Sequence, residues 1–202
     1  MSDIERAIEA VQGGGLVVIP TDTVYGLACA AESEEAARQL YAVKGRNATQ
    51  PTALVAASVD ALLECLPELR GGSEAAVSAV LPGPYTLVLP NPARRFRWLT
   101  GTRPDAIGVR VPLLAGPGKE VLQAVGAVVA TSANLAGGAD PCRVTDVPEA
   151  ILVAVAAVVD GGELRGAPST VIDLTGAEPT VLRSGAGDEA GAIERIRSAL
   201  VN

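Results

Sequence analysis

The 202-residue sequence contains no histidine. This absence excludes catalytic triads and general bases that depend on imidazole, together with the common zinc sites. The three cysteines are odd in number and widely spaced, with no CxxC pair, so we expect neither a disulfide framework nor a cysteine-based metal site. Any chemistry must therefore use lysine, arginine, carboxylate and hydroxyl side chains, backbone amides, or a metal that the substrate carries.

Aromatic residues and long apolar runs are also scarce. Aromatics make up 2% of the chain, and its longest uninterrupted apolar run, residues 150–159, is too short to span a bilayer. The N-terminal segment carries acidic residues and lacks the apolar centre of a signal peptide; its pattern predicts an amphipathic helix ended by glycines 13–15. We therefore expect a cytoplasmic protein that makes no membrane contact.

Positive charge is in short supply, because 16 lysines and arginines face 23 acidic residues, for a net charge of −7. This balance argues against a general nucleic-acid-binding protein. A local exception lies beside Phe96 and Trp98 and consists of Arg94, Arg95, Arg97 and Arg103. These four residues, here called the arginine cluster, can be interpreted as a solvated loop or as a contact surface for RNA or phosphate.

What the chain does have is alternating apolar patterning, and 49% of its residues are apolar. The pattern predicts one α/β domain over residues 1–202, with no repeat, linker or separate C-terminal domain. The predicted strands are 17–19, 52–57, 85–89, 106–112, 127–134, 169–175 and 180–183, the last two as a hairpin. The predicted helices are 33–44, 58–66, 73–81, 117–125 and 188–201, the last burying Ile193, Ile196 and Leu200, while 145–159 reads as a helix followed by a short strand.

Polar residues follow several of these strands. After the apolar run 17–19, Pro20 ends the first strand, and Thr21, Asp22, Thr23 and Tyr25 come next. The stretch fits either a turn whose side chains bond their own backbone or a ligand site at a strand end. The segment 130–141, "ATSANLAGGADP", repeats the arrangement and could bind an anion or form an ordinary polar turn.

Phosphate-binding motifs are incomplete. GxxxxGK(S/T) does not occur, and "GAGDEA" at 185–190 fits GxGxx(G/A) without the following strand that a dinucleotide-binding unit needs, so we expect a loop and a helix start there. Lys44 and Arg46 stand where a helix ends at Gly45. They either complement the helix dipole or form a phosphate clamp.

Taken in order, seven motifs make the sequence resemble the YrdC-like family of threonylcarbamoyl-AMP synthases, in its short form. They are "IPTDTVYGLAC", "KGR", "PGPYTLVL", "VRVP", "TSAN", "STVIDL" and "LRSG", within a resemblance that runs from about residue 4 to residue 185. The resemblance implies a single-domain α/β fold, with a twisted mixed sheet flanked by helices around a large, positively lined cavity.

The resemblance also implies a reaction. L-threonine, bicarbonate or CO2, and ATP with Mg²⁺ on its phosphates would give threonylcarbamoyl-AMP and pyrophosphate. A separate transferase complex would then modify adenosine 37 of tRNAs. The threonine amine and carbon dioxide would give a carbamate, whose oxygen would attack the α-phosphorus of ATP as pyrophosphate leaves. This step is governed by positioning and charge stabilisation and needs no histidine.

Roles for individual residues come from the same resemblance. Those implied to bind threonine are Thr23, Arg110 and Ser169, with Tyr25 as a pocket wall. Those implied to surround ATP are Lys44, Arg46, Gln50, Ser132, Asn134, Asp140 and Arg183, and Lys44 and Arg46 are also the expected catalytic residues. No metal ligand is implied in the chain itself.

The sequence departs from the family pattern at a few positions. Val55 stands where many relatives carry a threonine-binding histidine, Asp140 stands where a serine is common, and "GAPST" replaces the frequent "ESTV" context. Two alternatives therefore stay open: a noncatalytic RNA-binding module of the same fold that assists ribosome or tRNA maturation, and a related branch that uses another acceptor than threonine.

Overall fold

The computed structural model describes residues 1–201, which form one nine-stranded mixed sheet with helices on both faces. The strands are β1 (Val17–Pro20), β2 (Tyr25–Ala30), β3 (Ala53–Ala56), β4 (Tyr85–Pro90), β5 (Ala106–Arg110), β6 (Ala127–Ser132), β7 (Ala157–Val158), β8 (Thr170–Asp173) and β9 (Thr180–Arg183). The helices are α1 (Asp3–Gln12), α2 (Glu34–Lys44), α3 (Val59–Cys65), α4 (Glu74–Val80), α5 (Pro117–Val125), α6 (Glu149–Leu152) and α7 (Glu189–Val201). The predicted α/β class with a mixed sheet is confirmed.

The sheet order is β7-β1-β2-β6-β3-β5-β4-β8-β9. Three neighbouring pairs are parallel, namely β1 with β7, β3 with β5 and β4 with β8, and the others are antiparallel. The predicted hairpin is β8–β9. The stretch after Pro20 is a tight connection into β2, because the second strand begins at Tyr25.

Strand β1 and nearly all of β2 are buried on both faces, which explains their nearly continuous apolar sequences. In β1, Val17 and Ile19 belong to one core cluster and Val18 to the other, as the twofold alternation of a strand requires. Helices α1 and α5 contact each other and the strands β1, β2, β6 and β7. The two helices together cover the part of the sheet that these strands form.

Serine residues cap the first two helices of the chain. Ser2 caps α1 through a capping box with Glu5, and Ser33 caps α2 by accepting from the Ala36 amide. The prediction that α7 buries Leu200 is wrong, since this side chain is 52% exposed. Helix α7 packs on α4, and its buried residues are Ala192 and Ile196, whereas Leu200 lies in its last turn.

No helix among residues 1–201 is both long enough and apolar enough to cross a membrane.

Candidate functional site

A cavity of about 530 Å³ lies against one face of the sheet. Its floor consists of strand residues that point to the same face and are small, namely Gly26, Ala53, Ala106, Gly108 and Ala130. Val55 and Val88 add apolar surface to the same wall. Small side chains on neighbouring strands leave this volume open.

The charged residues that line the cavity are mostly cations. Five are basic, namely Lys44, Arg46, Arg103, Arg110 and Arg183, and Asp140 is the one carboxylate among the lining residues described. Such a surplus of positive charge in a concave site attracts anions. Within residues 1–201, no group of three or more histidine, cysteine or acidic side chains could hold a metal ion.

Lys44 is the last residue of α2, which ends at Gly45 in the left-handed conformation (φ 64°). Its side chain is 5% exposed, and its Nζ donates to the carbonyl oxygens of Ser132 (2.6 Å) and Asn134 (2.9 Å) and to Asn134 Oδ1. Burial, and then the nearby charge of Arg46, lower the pKa of Lys44 to about 8, although Asp140 acts in the opposite direction. The lysine thus links the "KGR" and "TSAN" motifs directly.

Arg46 lies beside this lysine and approaches the same strand. Its guanidinium donates to Thr131 Oγ1 (3.0 Å) and to the Pro51 carbonyl (2.6 Å). Its buried Nε has no partner within the described residues. A buried donor without a partner is costly. Burial also lowers the pKa of the Arg46 guanidinium.

The loop after β6 completes this part of the cavity. Ser132 Oγ donates to Asn134 Oδ1 (2.7 Å), and the Asn134 side-chain amide donates to the Gly138 carbonyl (2.5 Å). Asp140 lies on the cavity wall at the end of the loop, and the exposed Gln50 lies at its rim. The structure therefore brings together Lys44, Arg46, Gln50, Ser132, Asn134 and Asp140.

A second group of side chains centres on Arg110, whose side chain is 11% exposed. Its Nη2 donates to the Asp22 carboxylate and to Thr23 Oγ1 (2.7 Å), and its Nε is buried without a partner among the residues described. Burial lowers the pKa of Arg110, and the Asp22 charge counteracts this effect. The prediction that Thr23 contacts threonine is corrected by the structure. Thr23 is fully buried beside Arg110 and is not among the cavity-lining residues, whereas Thr21 and Val24 reach the cavity surface.

Ser169 and Arg183 form the third part of the wall. Arg183 donates to the Ser169 carbonyl (2.8 Å) and to its hydroxyl (3.2 Å). The Ser169 hydroxyl also lies 2.8 Å from Thr86 Oγ1. Ser169 is 3% exposed, and its hydroxyl is held in place by the hydrogen bonds with Arg183 and Thr86.

The prediction that Tyr25 walls the pocket is corrected by the structure. Gly26 faces the cavity, so its strand neighbour Tyr25 points to the opposite face and is completely buried. Its hydroxyl lies 2.9 Å from Asp160 Oδ1 and 2.7 Å from the Gly162 carbonyl, and accepts from the Gly161 amide (2.9 Å). Burial raises the pKa of this phenol. Tyr25 fixes the loop after β7 instead of contacting the cavity.

The arginine cluster does not form a single surface. Arg95 pairs with Glu68 (2.9 Å), and Arg103 pairs with Asp173 (3.1 Å) and belongs to the cavity wall. Phe96 is buried and meets Trp98 edge-on, with 5.7 Å between ring centroids. The sequence reasoning did not assign Asp22 or Arg103 to the site, since their partners lie many residues away along the chain.

Comparison with known proteins agrees with this geometry. Residues 9–185 match the Sua5/YciO/YrdC family, described as "Telomere recombination". The chain is 36% identical over 183 residues to the threonylcarbamoyl-AMP synthase of Pyrococcus abyssi, covering 90% of this chain and 54% of that protein. It is 36% identical over 165 residues to the threonylcarbamoyl-AMP synthase of Xanthomonas euvesicatoria, covering 79% and 86% respectively.

Among solved structures, P. abyssi Sua5 complexed with L-threonine superposes with a TM-score of 0.84 at 32% identity. The alignment covers 99% of this chain and 58% of that one, so the chain spans little more than half the length of the archaeal relative. The matched residues include every part of the cavity wall up to Arg183. The chain belongs to the Sua5/YciO/YrdC family.

Proposed function

We propose that this protein is an L-threonylcarbamoyladenylate synthase, which converts L-threonine, bicarbonate or CO2, and ATP into threonylcarbamoyl-AMP and pyrophosphate. The observation that carries the proposal is the buried contact of Lys44 with Ser132 and Asn134 in a cavity lined by five cations. Two relatives are named threonylcarbamoyl-AMP synthase, and a Sua5 structure contains L-threonine.

Threonine is assigned to the part of the cavity around Arg110. The Arg110 guanidinium lines the cavity and suits the amino-acid carboxylate, and the positioned Ser169 hydroxyl suits the substrate hydroxyl. Thr23 holds Arg110 in place from behind. Val55 gives this wall an apolar surface where many relatives carry histidine, so selectivity for threonine over other amino acids is part of the test below.

The nucleotide is assigned to the part around Lys44 and Arg46. The carbamate oxygen attacks the α-phosphorus, the new O–P bond forms, and the bond to the β-phosphate oxygen breaks with its electrons leaving on pyrophosphate. Lys44 and Arg46 stabilise the negative charge that concentrates on the transferring phosphate. Bound to ATP as substrate, Mg²⁺ would shield the outer phosphates. Because Asp140 is the one carboxylate among the described lining residues, most ligands of the Mg²⁺ would be phosphate oxygens of ATP.

The assay for this proposal measures pyrophosphate release from MgATP. We expect rapid release when threonine and bicarbonate are both present. Release should be much slower when threonine is replaced by serine or valine or is left out. Release that ignores threonine, or no release at all, would contradict the proposal. Equal turnover with another amino acid would favour the related branch that uses a different acceptor.

Binding of ATP should depend on pH through Lys44. The folded protein holds the pKa of this lysine at about 8, so its charge is present below that pH and lost as the pH rises through it. The terminal phosphate is already ionised there. We expect the dissociation constant of MgATP, measured without threonine, to rise above pH 8 by up to about tenfold per pH unit. A flat profile from pH 7 to 9.5 would contradict the assignment of Lys44.

The remaining predictions stay proposals. A separate threonylcarbamoyl transferase complex would consume the reactive mixed anhydride, since such a product needs an acceptor. Direct contact with tRNA would use Arg94 and Arg97, which are exposed and lie outside the cavity wall. A cytoplasmic location and a single catalytic domain over residues 1–202 are likewise predictions from the sequence.

A further inference from the structure

Arg103 is the cation of the cavity wall that the synthase chemistry above leaves without a task. It stands at the end of the long connection between β4 and β5, and its side chain is 51% exposed. Its Nη1 donates to Asp173 Oδ2 (3.1 Å) and its Nη2 to Thr175 Oγ1 (2.8 Å). These bonds use two of the five guanidinium N–H groups, so others remain for a ligand.

Both sides of Arg103 are firmly held. The Asp173 carboxylate also accepts from the backbone amide (2.8 Å) and the hydroxyl (2.6 Å) of Thr175. The connection that carries Arg103 is anchored to the segment after Arg46, since the Thr52 amide donates to the Leu99 carbonyl (2.9 Å). A Cβ on Gly101 would collide with the Thr49 carbonyl, so the two segments pack closely. Arg103 is therefore a prepositioned cation near the rim.

The position of Arg103 relative to Arg110 follows from β5. Ala106, Gly108 and Arg110 alternate toward the cavity, so one face of this strand forms a wall about 13 Å long at the rise of an extended chain. Arg110 ends this wall, and Arg103 precedes its beginning. The two arginines therefore mark opposite ends of the strand wall.

The direction of the reaction then assigns Arg103 a ligand. Displacement at phosphorus places the attacking and leaving oxygens roughly in line, so the leaving pyrophosphate points away from the carbamate. With threonine at the Arg110 end, the outer phosphates of ATP extend toward the other end. We propose that Arg103, held by Asp173 and Thr175, binds the β- and γ-phosphates of ATP and the pyrophosphate product. This inference rests on the proposed function and extends it.

Comparison of nucleotides with and without outer phosphates tests the assignment. Equilibrium binding of MgATP and of AMP would be measured for the unmodified protein, for Arg103→Gln, and for the double variant Arg94→Gln/Arg97→Gln. The double variant removes two charges from the same connection, but outside the cavity wall. Loss of a charge-assisted contact predicts about tenfold weaker MgATP binding for Arg103→Gln, with unchanged AMP binding.

Inhibition by pyrophosphate should weaken in parallel in Arg103→Gln. Thermal unfolding shows whether the variant is folded, and Arg103→Met, which keeps most of the apolar stem, is the second variant. Unchanged MgATP binding in a folded variant, equal losses for MgATP and AMP, or the same loss in the double variant would each overturn the inference. If the unmodified protein bound no MgATP, the proposed function would fail together with it.

Discussion

Replacing Lys44 by alanine is expected to lower threonine-dependent pyrophosphate release by about 100- to 1000-fold, the usual cost of removing a preorganised group that stabilises transition-state charge. Lys44 is buried and lines the cavity, and its ammonium group donates to the Ser132 and Asn134 carbonyls. The measurement is the steady-state rate at saturating MgATP.

The matched control for this change is Lys119→Ala. Lys119 is the second of the two lysines in the chain, is exposed on α5, and lies outside the cavity wall. The Lys119→Ala substitution removes the same charge and should leave the rate of pyrophosphate release unchanged. A folded Lys44→Ala variant that retains activity would show that the lysine does not act on the phosphate.

The second large effect concerns stability. Replacing Asp22 by alanine leaves Arg110 charged and buried without its carboxylate, and removes the acceptor of the Leu113 amide (3.0 Å). We expect the free energy of unfolding to fall by about 3–5 kcal/mol, the usual cost of breaking a buried pair from one side. Urea denaturation measures this difference.

An exposed ion pair supplies the control for Asp22. Arg197 and Glu178 are 58% and 70% exposed, so Glu178→Ala should change the free energy of unfolding by less than about 1 kcal/mol. Adding Arg110→Met to Asp22→Ala should restore much of the lost stability, because it removes the uncompensated charge. Equal, small losses for Asp22→Ala and Glu178→Ala would show that the Arg110 pair is not energetically special.

Local patterns predicted much of the fold and the motif residues. The apolar alternation placed most strands and helices within a few residues, since each pattern depends on neighbours in the sequence. The family resemblance implied that Lys44, Ser132 and Asn134 surround the same nucleotide. The structure adds the direct contact between them, across more than eighty residues of chain.

Other features depend on long-range geometry that no local pattern encodes. Asp22 fits a turn equally well, and its partner Arg110 stands 88 residues away. Tyr25 sits inside a functional motif, yet the twofold alternation of β2 turns it away once Gly26 faces the cavity. In the sequence, Arg103 is grouped with the arginine cluster. Its contacts with Asp173 and Thr175 depend on the order of the strands in the sheet.

The small residues of the cavity floor determine the size of the cavity, whereas other residues provide its charge. Gly108 has room for a Cβ, whose nearest neighbours would be the Thr52 carbonyl at 3.6 Å and Ala53 Cα at 3.8 Å. A methyl group there would take its volume from the cavity and leave the charged rim untouched. Under the proposed function, the size of an accepted substrate can thus be adjusted at the floor without replacing the residues that bind its charges.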